Sequence, residues 1–154
     1  MAHSIATRNK TVQHRPYRLR LPHNRPPRAV LDLSALPTAP SCARAWTRRA
    51  LREWQLSVLS DMAELIVSEL TTNAMLASRR LGCPFIRLTL TPDQHELAIA
   101  VHDYCASAPE PGNPGGDDEN GRGLLLVEAV SSRSGWYPFE DGTPGKVVWA
   151  VLSG

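Results

Sequence analysis

With 154 residues, the chain is long enough to bury one core and too short for two domains. Hydrophobic residues at 42% and charged residues at 21% are ordinary for a globular protein, no apolar run approaches membrane-spanning length, and no apolar signal core opens the chain. Cys42, Cys83 and Cys105 are widely spaced and odd in number, and no histidine makes a ligand spacing with them, which speaks against a disulfide framework or zinc pattern and for a reduced, cytoplasmic protein.

The net charge of +2 conceals an asymmetry. Residues 1–28 carry Arg8, Lys10, Arg15, Arg18, Arg20, Arg25 and Arg28 and no acid, leaving ten basic groups against all fifteen acids in the remainder. That remainder, net −5, is mildly acidic, which argues against nucleic-acid binding by bulk charge. Pro16, Pro22, Pro26 and Pro27 keep the leader extended, as a solvated, disordered tail or as an arm that touches nucleic acid or an acidic partner. The folded domain is expected over 29–154. Ala29 to Leu33 suits a short strand, closed by Pro37 and Pro40. Ser41 is a candidate N-cap for a helix from Cys42 to Trp54, with Ala43, Trp46, Ala50 and Trp54 on its buried side. Arg44, Arg48, Arg49 and Arg52 cover the rest, as a solvated face or a receiver of an acidic or phosphorylated partner.

The segment Leu59 to Leu81 reads as the organising helix, free of Pro and Gly, with Ser60 or Asp61 as N-cap and Gly82 as C-cap. Leu59, Met62, Ile66, Leu70, Ala77 and Leu81 recur at helical spacing. On that spacing Asn73 falls inside the apolar stripe and Glu69 at its edge, one turn earlier. A buried amide or carboxylate needs a polar partner, so either the two bond neighbouring backbone and solvent or something polar meets them.

Pro84 prevents continuation of the helix, and Phe85 to Leu90 alternates as a strand. Thr91 to His95 reads as a turn, and Glu96 to Asp103 as a second strand whose core-facing row, Leu97, Ile99 and Val101, ends in Asp103. A carboxylate there is either a turn or cap acceptor or a site residue. Tyr104 to Asn120 is a Pro/Gly-rich, acidic loop of lid length. Gly121-Arg122-Gly123 then opens an apolar helix, LLLVEAV, ending near Ser131. Glycines at a helix start let a ligand approach bare N–H groups, where the dipole favours anions. Gly135-Trp136-Tyr137 and a turn at Asp141 to Gly145 precede the strand Lys146 to Leu152, apolar on both faces and so expected inside the sheet.

SELTTNA on the long helix, VHDYCASAP at the strand end, and ENGRGLLLV with GKVVWAVL resemble, in order, the N-box, first glycine box, later boxes and final strand of the GHKL ATPases. Within them the chain looks like the small bacterial anti-sigma-factor serine kinases over about 29–152. The resemblance implies a Bergerat-type α/β sandwich, with a mixed, mostly antiparallel sheet and helices on one face. ATP would lie between helices and lid. Asn73 would hold Mg²⁺, Glu69 would be the general base toward a partner's serine, and Asp103 would accept from the adenine amino group. Gly121, Arg122, Gly123 and Leu124 would line the phosphate side. The implied partners are a sigma factor and an anti-anti-sigma protein, and relatives often form homodimers. A non-catalytic regulator that keeps the fold is the alternative. Three positions depart from the pattern: Cys105 replaces a glycine, Leu76-Ala77-Ser78 stand where a His often follows the N-box, and Val147 stands where many relatives keep a Thr near the adenine.

Overall fold

A computed structural model describes residues 27–104 and 119–154, with the backbone alone for 119–122. The leader to residue 26 and the lid over 105–118, with Cys105, Asp117 and Asp118, lie outside the described residues, as do the side chains of Glu119 and Arg122. The elements in order are β1 (Ala29–Ser34), α1 (Ala39–Glu53), a single 3₁₀ turn (Ser57–Leu59), α2 (Ser60–Leu81), β2 (Phe85–Asp93), β3 (Glu96–Asp103), α3 (Glu119–Val130), β4 (Arg133–Pro138) and β5 (Lys146–Ser153). The strands form one sheet in the order β1-β2-β3-β5-β4. Every described pairing is antiparallel, so the parallel pair a mixed sheet would need does not occur among them.

The core joins Ala43, Ala50 and Leu51 of α1 and Ile66, Val67 and Leu70 of α2 to Leu88, Leu90, Leu97, Ile99 and Val101 on one face of the sheet. These strand residues share that face because direct partners in the register, such as Leu88 with Val101 and Leu90 with Ile99, point the same way. Val127 closes the core from α3. The result is the two-layer α+β sandwich that the motif order implies. β5 lies inside the sheet and is buried on both faces, as its unbroken apolar run requires.

Three local expectations need correction. Helix α1 begins at Ala39 with Pro40 in its first turn, where a missing N–H costs nothing, and Thr38 is the N-cap residue. Ser41 is therefore inside the helix, its hydroxyl donating to the Thr38 carbonyl at 2.9 Å. Nor are all four α1 arginines free to receive an acidic partner, although Arg48, Arg49 and Arg52 are exposed as a solvated face requires. Arg44 donates to Ser68 Oγ at 2.8 Å and Arg48 pairs with Glu64, tying α1 to α2, while Arg49 pairs with Glu53 one turn on.

The third correction concerns α2, whose buried row is Ala63, Ile66, Val67, Leu70, Thr71, Ala74, Met75 and Ser78. Met62 and Leu81, expected on that row, are 48% and 52% exposed. Small residues bring the helix close to the sheet, and a stripe traced only through large apolar side chains misses them. Asn73 and Glu69 consequently lie half-buried on the neighbouring face rather than in the core-facing stripe. Gly82 ends α2 in the left-handed region at φ 72, as expected. Strand β2 runs on to Asp93, leaving Gln94 and His95 for the turn, and the Gly135-Trp136-Tyr137 segment is the middle of an edge strand.

Candidate functional site

Helix α2 and strand β3 run side by side and are pinned at both ends. Gly154, whose N–H donates to the His95 carbonyl at 2.8 Å, lies against Leu59 at the start of α2. At the other end the Cys83 thiol lies 3.6 Å from the Tyr104 carbonyl. Asp103 therefore stands level with the C-terminal end of α2, Asn73 lies about 12 Å back along the helix axis, and Glu69 about 6 Å further. The three residues are thus spread along the seam where α2 packs on β3 rather than gathered in a compact cluster.

At the far end of this seam, α3 closes on α2. A Cβ built on Gly123 would overlap the Glu69 carboxylate and would stand 3.1 Å from its Cδ. Glycine here leaves the carboxylate where it stands, whereas a Cβ would oblige the Glu69 side chain to swing aside. Helix α3 starts at Glu119, so Gly121 lies in its first turn and Gly123 just past it, rather than both preceding the helix. Leu124 packs half-buried against the core behind Gly123. Neither Glu69 nor Asn73 hydrogen-bonds or ion-pairs with a described residue, although both are half-buried. Two polar groups so placed, one turn apart on one helix face, leave acceptor atoms available to a ligand.

The near end is built differently. Asp103 is 2% exposed, at the end of the core-facing row of β3, and its register partner is Lys146, the first residue of β5. Lys146 Nζ lies 3.1 Å from Oδ1 and 3.0 Å from Oδ2 of Asp103, with the lysine side chain 6% exposed. The preceding Gly145 has φ +146, and a Cβ there would stand 2.7 Å from the Asp103 carbonyl oxygen and overlap the Phe139 ring. Gly145 thus permits the close approach that brings Lys146 alongside Asp103. The Phe139 ring in turn packs edge-on to Tyr104, centroids 5.7 Å apart, and tilted against His102 at 6.2 Å.

Val147 pairs with His102 and faces the opposite side of the sheet, so Lys146 is the β5 residue beside Asp103. Lys146 lies within the GKVVWAVL segment, but no role was expected of it. Its one signal was a lysine heading a strand apolar on both faces, directly after Pro144-Gly145. His102 is half-buried on that opposite side, and burial first, then the Arg28 and Arg87 charges, holds its imidazole below the usual value.

No three His, Cys, Asp or Glu converge as a metal site among the described residues. The Asn73 amide oxygen is a hard oxygen donor of the type that Mg²⁺ takes as a ligand. No helix among the described residues is long and apolar enough to cross a membrane.

Comparison with curated proteins gives no match. The family model described as "Histidine kinase-like ATPase domain" matches residues 33–152. That span runs from β1 to the end of β5 and contains every element of the seam, the α2 polar pair, the Asp103 strand end and the α3 glycine alike. On fold and on sequence together, the chain belongs to the histidine kinase-like ATPase family.

Proposed function

We propose that the chain is an ATP-binding regulator that acts as a serine/threonine protein kinase on an anti-anti-sigma partner and sequesters a sigma factor. What supports the reading is that half-buried Glu69 and Asn73 lie one turn apart on α2 with Gly123 close against Glu69, while Asp103 ends the core-facing row of the neighbouring strand. In this reading the Asp103 carboxylate accepts from the adenine amino group. The α3 segment Gly121 to Leu124 borders the phosphates, with backbone N–H groups of its first turn and the Arg122 charge favouring an anion. Asn73 would hold Mg²⁺, which when bound would supply charge neutralisation at the phosphates. The partner's serine Oγ attacks the γ-phosphorus and the bond to the ADP oxygen breaks. Glu69, with no cation paired to it among the described residues, takes the serine proton.

The test is a titration of purified protein with ATP, with and without Mg²⁺, followed by phosphate transfer to a candidate anti-anti-sigma protein. Nucleotide at 100 times its Kd stabilises the fold by about 2.7 kcal/mol, a readily measured rise in Tm. Asn73→Ala is expected to remove the Mg²⁺-dependent part of binding, and Glu69→Ala to remove transfer while leaving ATP bound. Transfer that persists in Glu69→Ala rules out its assigned role. Absence of any nucleotide binding by the wild type defeats the whole reading.

A further inference from the structure

The helices occupy one face of the sheet, and the other face is buried as well. Side chains alternate along β5, so Val148, Ala150 and Leu152 pack with the helices, while Val147, Trp149 and Val151 point the opposite way and take no part in that core. All three are nevertheless buried, and so are Thr89 and Thr91 on the same side of β2. The sheet cannot enclose them by itself. Trp149 is 8% exposed although its partners on the neighbouring strands are Ala100 and Gly135, and Val151, fully buried, lies between Ala98 and Arg133. Neighbours as small as Ala and Gly leave an indole open to water. Among the described residues no helix covers this face, since α1, α2 and α3 all pack into the core on the other side.

The burial is a property of the single chain, so the cover is the leader before residue 27 or the segment 105–118. Segment 105–118 holds no Leu, Ile, Val, Met or aromatic residue and carries Glu110, Asp117 and Asp118, a poor match for an apolar face. The leader matches it. Tyr17-Arg18-Leu19-Arg20-Leu21 alternates apolar with basic residues, the pattern of a segment with one side buried and one solvated. Pairing of β1 starts at Ala29 opposite Leu90, so the leader joins the sheet level with Thr91 and, two strands further on, Val151. Arg28 already extends over this face. After burial, its charge does most to lower His102 on β3, ahead of Arg87, the register partner of His102. Burial raises Tyr137 on β4, Glu140 adds to the rise, and Arg28 opposes it. Reach is sufficient: β1 and β5 are three strand spacings apart, about 14 Å, and the chain from Leu21 to Arg28 spans up to about 25 Å.

We infer that residues 17–21 of the leader lie across the face of the sheet opposite the helices, with Tyr17, Leu19 and Leu21 against Trp149 and Val151 and with Arg18 and Arg20 toward solvent. A second copy of the chain, or any other partner, then reaches this face only by displacing the leader.

The test uses the full chain labelled with 5-fluorotryptophan, in which Trp149→Phe assigns one of the four tryptophan fluorine resonances. In the wild type the Trp149 signal is expected to stay in place when H₂O is exchanged for D₂O. Leu19→Ser combined with Leu21→Ser is expected to give it the solvent shift of an exposed indole while the other tryptophans keep theirs. Arg18→Ser combined with Arg20→Ser, on the outward side, is expected to change none of them. A Trp149 signal unmoved by the leucine pair overturns the inference, and so does equal movement with the arginine pair. Protection that is lost on dilution, in step with dissociation seen by sedimentation, gives the face to a second copy and also overturns it. Should the leucine pair fail to fold, as judged by circular dichroism, trypsin acting on the wild type decides. Cleavage after Arg18 and Arg20 is expected to be at least about tenfold slower than after Lys10, because a docked segment must lift before it is cut. Equal rates at the three sites overturn the inference.

Discussion

Removing the Lys146 charge tests how the Asp103 end of the seam is held together, without reference to any ligand. Asp103 and Lys146 have side chains 2% and 6% exposed and within 3.1 Å of each other, so solvent screens the pair little. Deleting one member of a buried pair takes away the charge that the other faces and costs about 3–5 kcal/mol. For a chain of 154 residues, each kcal/mol shifts Tm by about 2–4 °C, so Lys146→Met should lower Tm by about 6–20 °C. Replacing both members, as Asp103→Leu with Lys146→Met, removes the stranded charge as well and should return most of that loss. The assay is a double-mutant cycle from urea melts followed by tryptophan fluorescence, with slopes checked for constancy. A single variant within about 1 kcal/mol of wild type refutes the reasoning, as does a double variant no more stable than the single one. Either result would mean that water or another group already compensates Asp103.

Gly145→Ala places a Cβ 2.7 Å from the Asp103 carbonyl oxygen at φ +146, and should cost about 1–3 kcal/mol of backbone strain, with further loss from the Phe139 overlap, in the same urea melts. Gly142→Ala is the contrast: its φ is also positive, at +77, but nothing lies within 4 Å of the added carbon, so only about 1 kcal/mol should be lost. Gly123→Ala pushes against the far end of the Glu69 side chain, which can swing away, so stability should fall by less than about 1 kcal/mol while phosphate transfer falls much further; equal losses in both would refute this. His102 is depressed below its ordinary 6.5 by burial first and then by the Arg28 and Arg87 charges. The unfolded chain therefore takes up the proton first as pH falls, so the contribution of His102 to stability is complete above about pH 6.5 and declines as pH drops toward the folded value. Unfolding free energies at several pH values should show a shallower acid decline in His102→Gln than in wild type, and parallel curves would exclude the assignment.

The order of elements was legible because each carries a local signature: the Gly82-Cys83-Pro84 stop, the alternation of Leu97, Ile99 and Val101, and the doubly apolar run of β5. The orientation of α2 was not, since Ala63, Ala74 and Ser78 are buried for their small size and carry no hydrophobic signal that separates them from surface residues. The early start of α1 was hidden by the two prolines before it, one of which proved to be a first-turn residue rather than a breaker. Strand β4, with Gly135 and Pro138 in six residues, lacks the alternation that marks an edge strand and is defined by its pairing with β5. Glu69, Asn73 and Asp103 were recognisable as candidates from residue type and spacing. Their separation along the seam depended on where α2 ends relative to β3, and that is a tertiary fact.

The choice between Lys146 and Val147 shows what one residue of strand parity decides. Both lie at the head of β5, and the sequence alone does not say which of them faces Asp103. In an antiparallel pair, the residue opposite Asp103 shares its face and the next residue points away, so a shift of one exchanges a cation for a methyl-bearing side chain at the same spot. The Asp103 end is therefore fixed by sheet register, two buried charges and a glycine that admits no other side chain without strain. The opposite end rests on half-buried Glu69 and Asn73 and on the approach of α3, none of which is locked by a described hydrogen bond. Such a division suits a site that must hold one end of its ligand in fixed orientation while the other end is exchanged with a partner. It also predicts where tolerance lies: substitutions bordering Gly123 should change turnover before stability, and those around Asp103 should change stability before turnover. Reversal of that order in a scan of both ends would show that the rigid part of the seam has been placed at the wrong end.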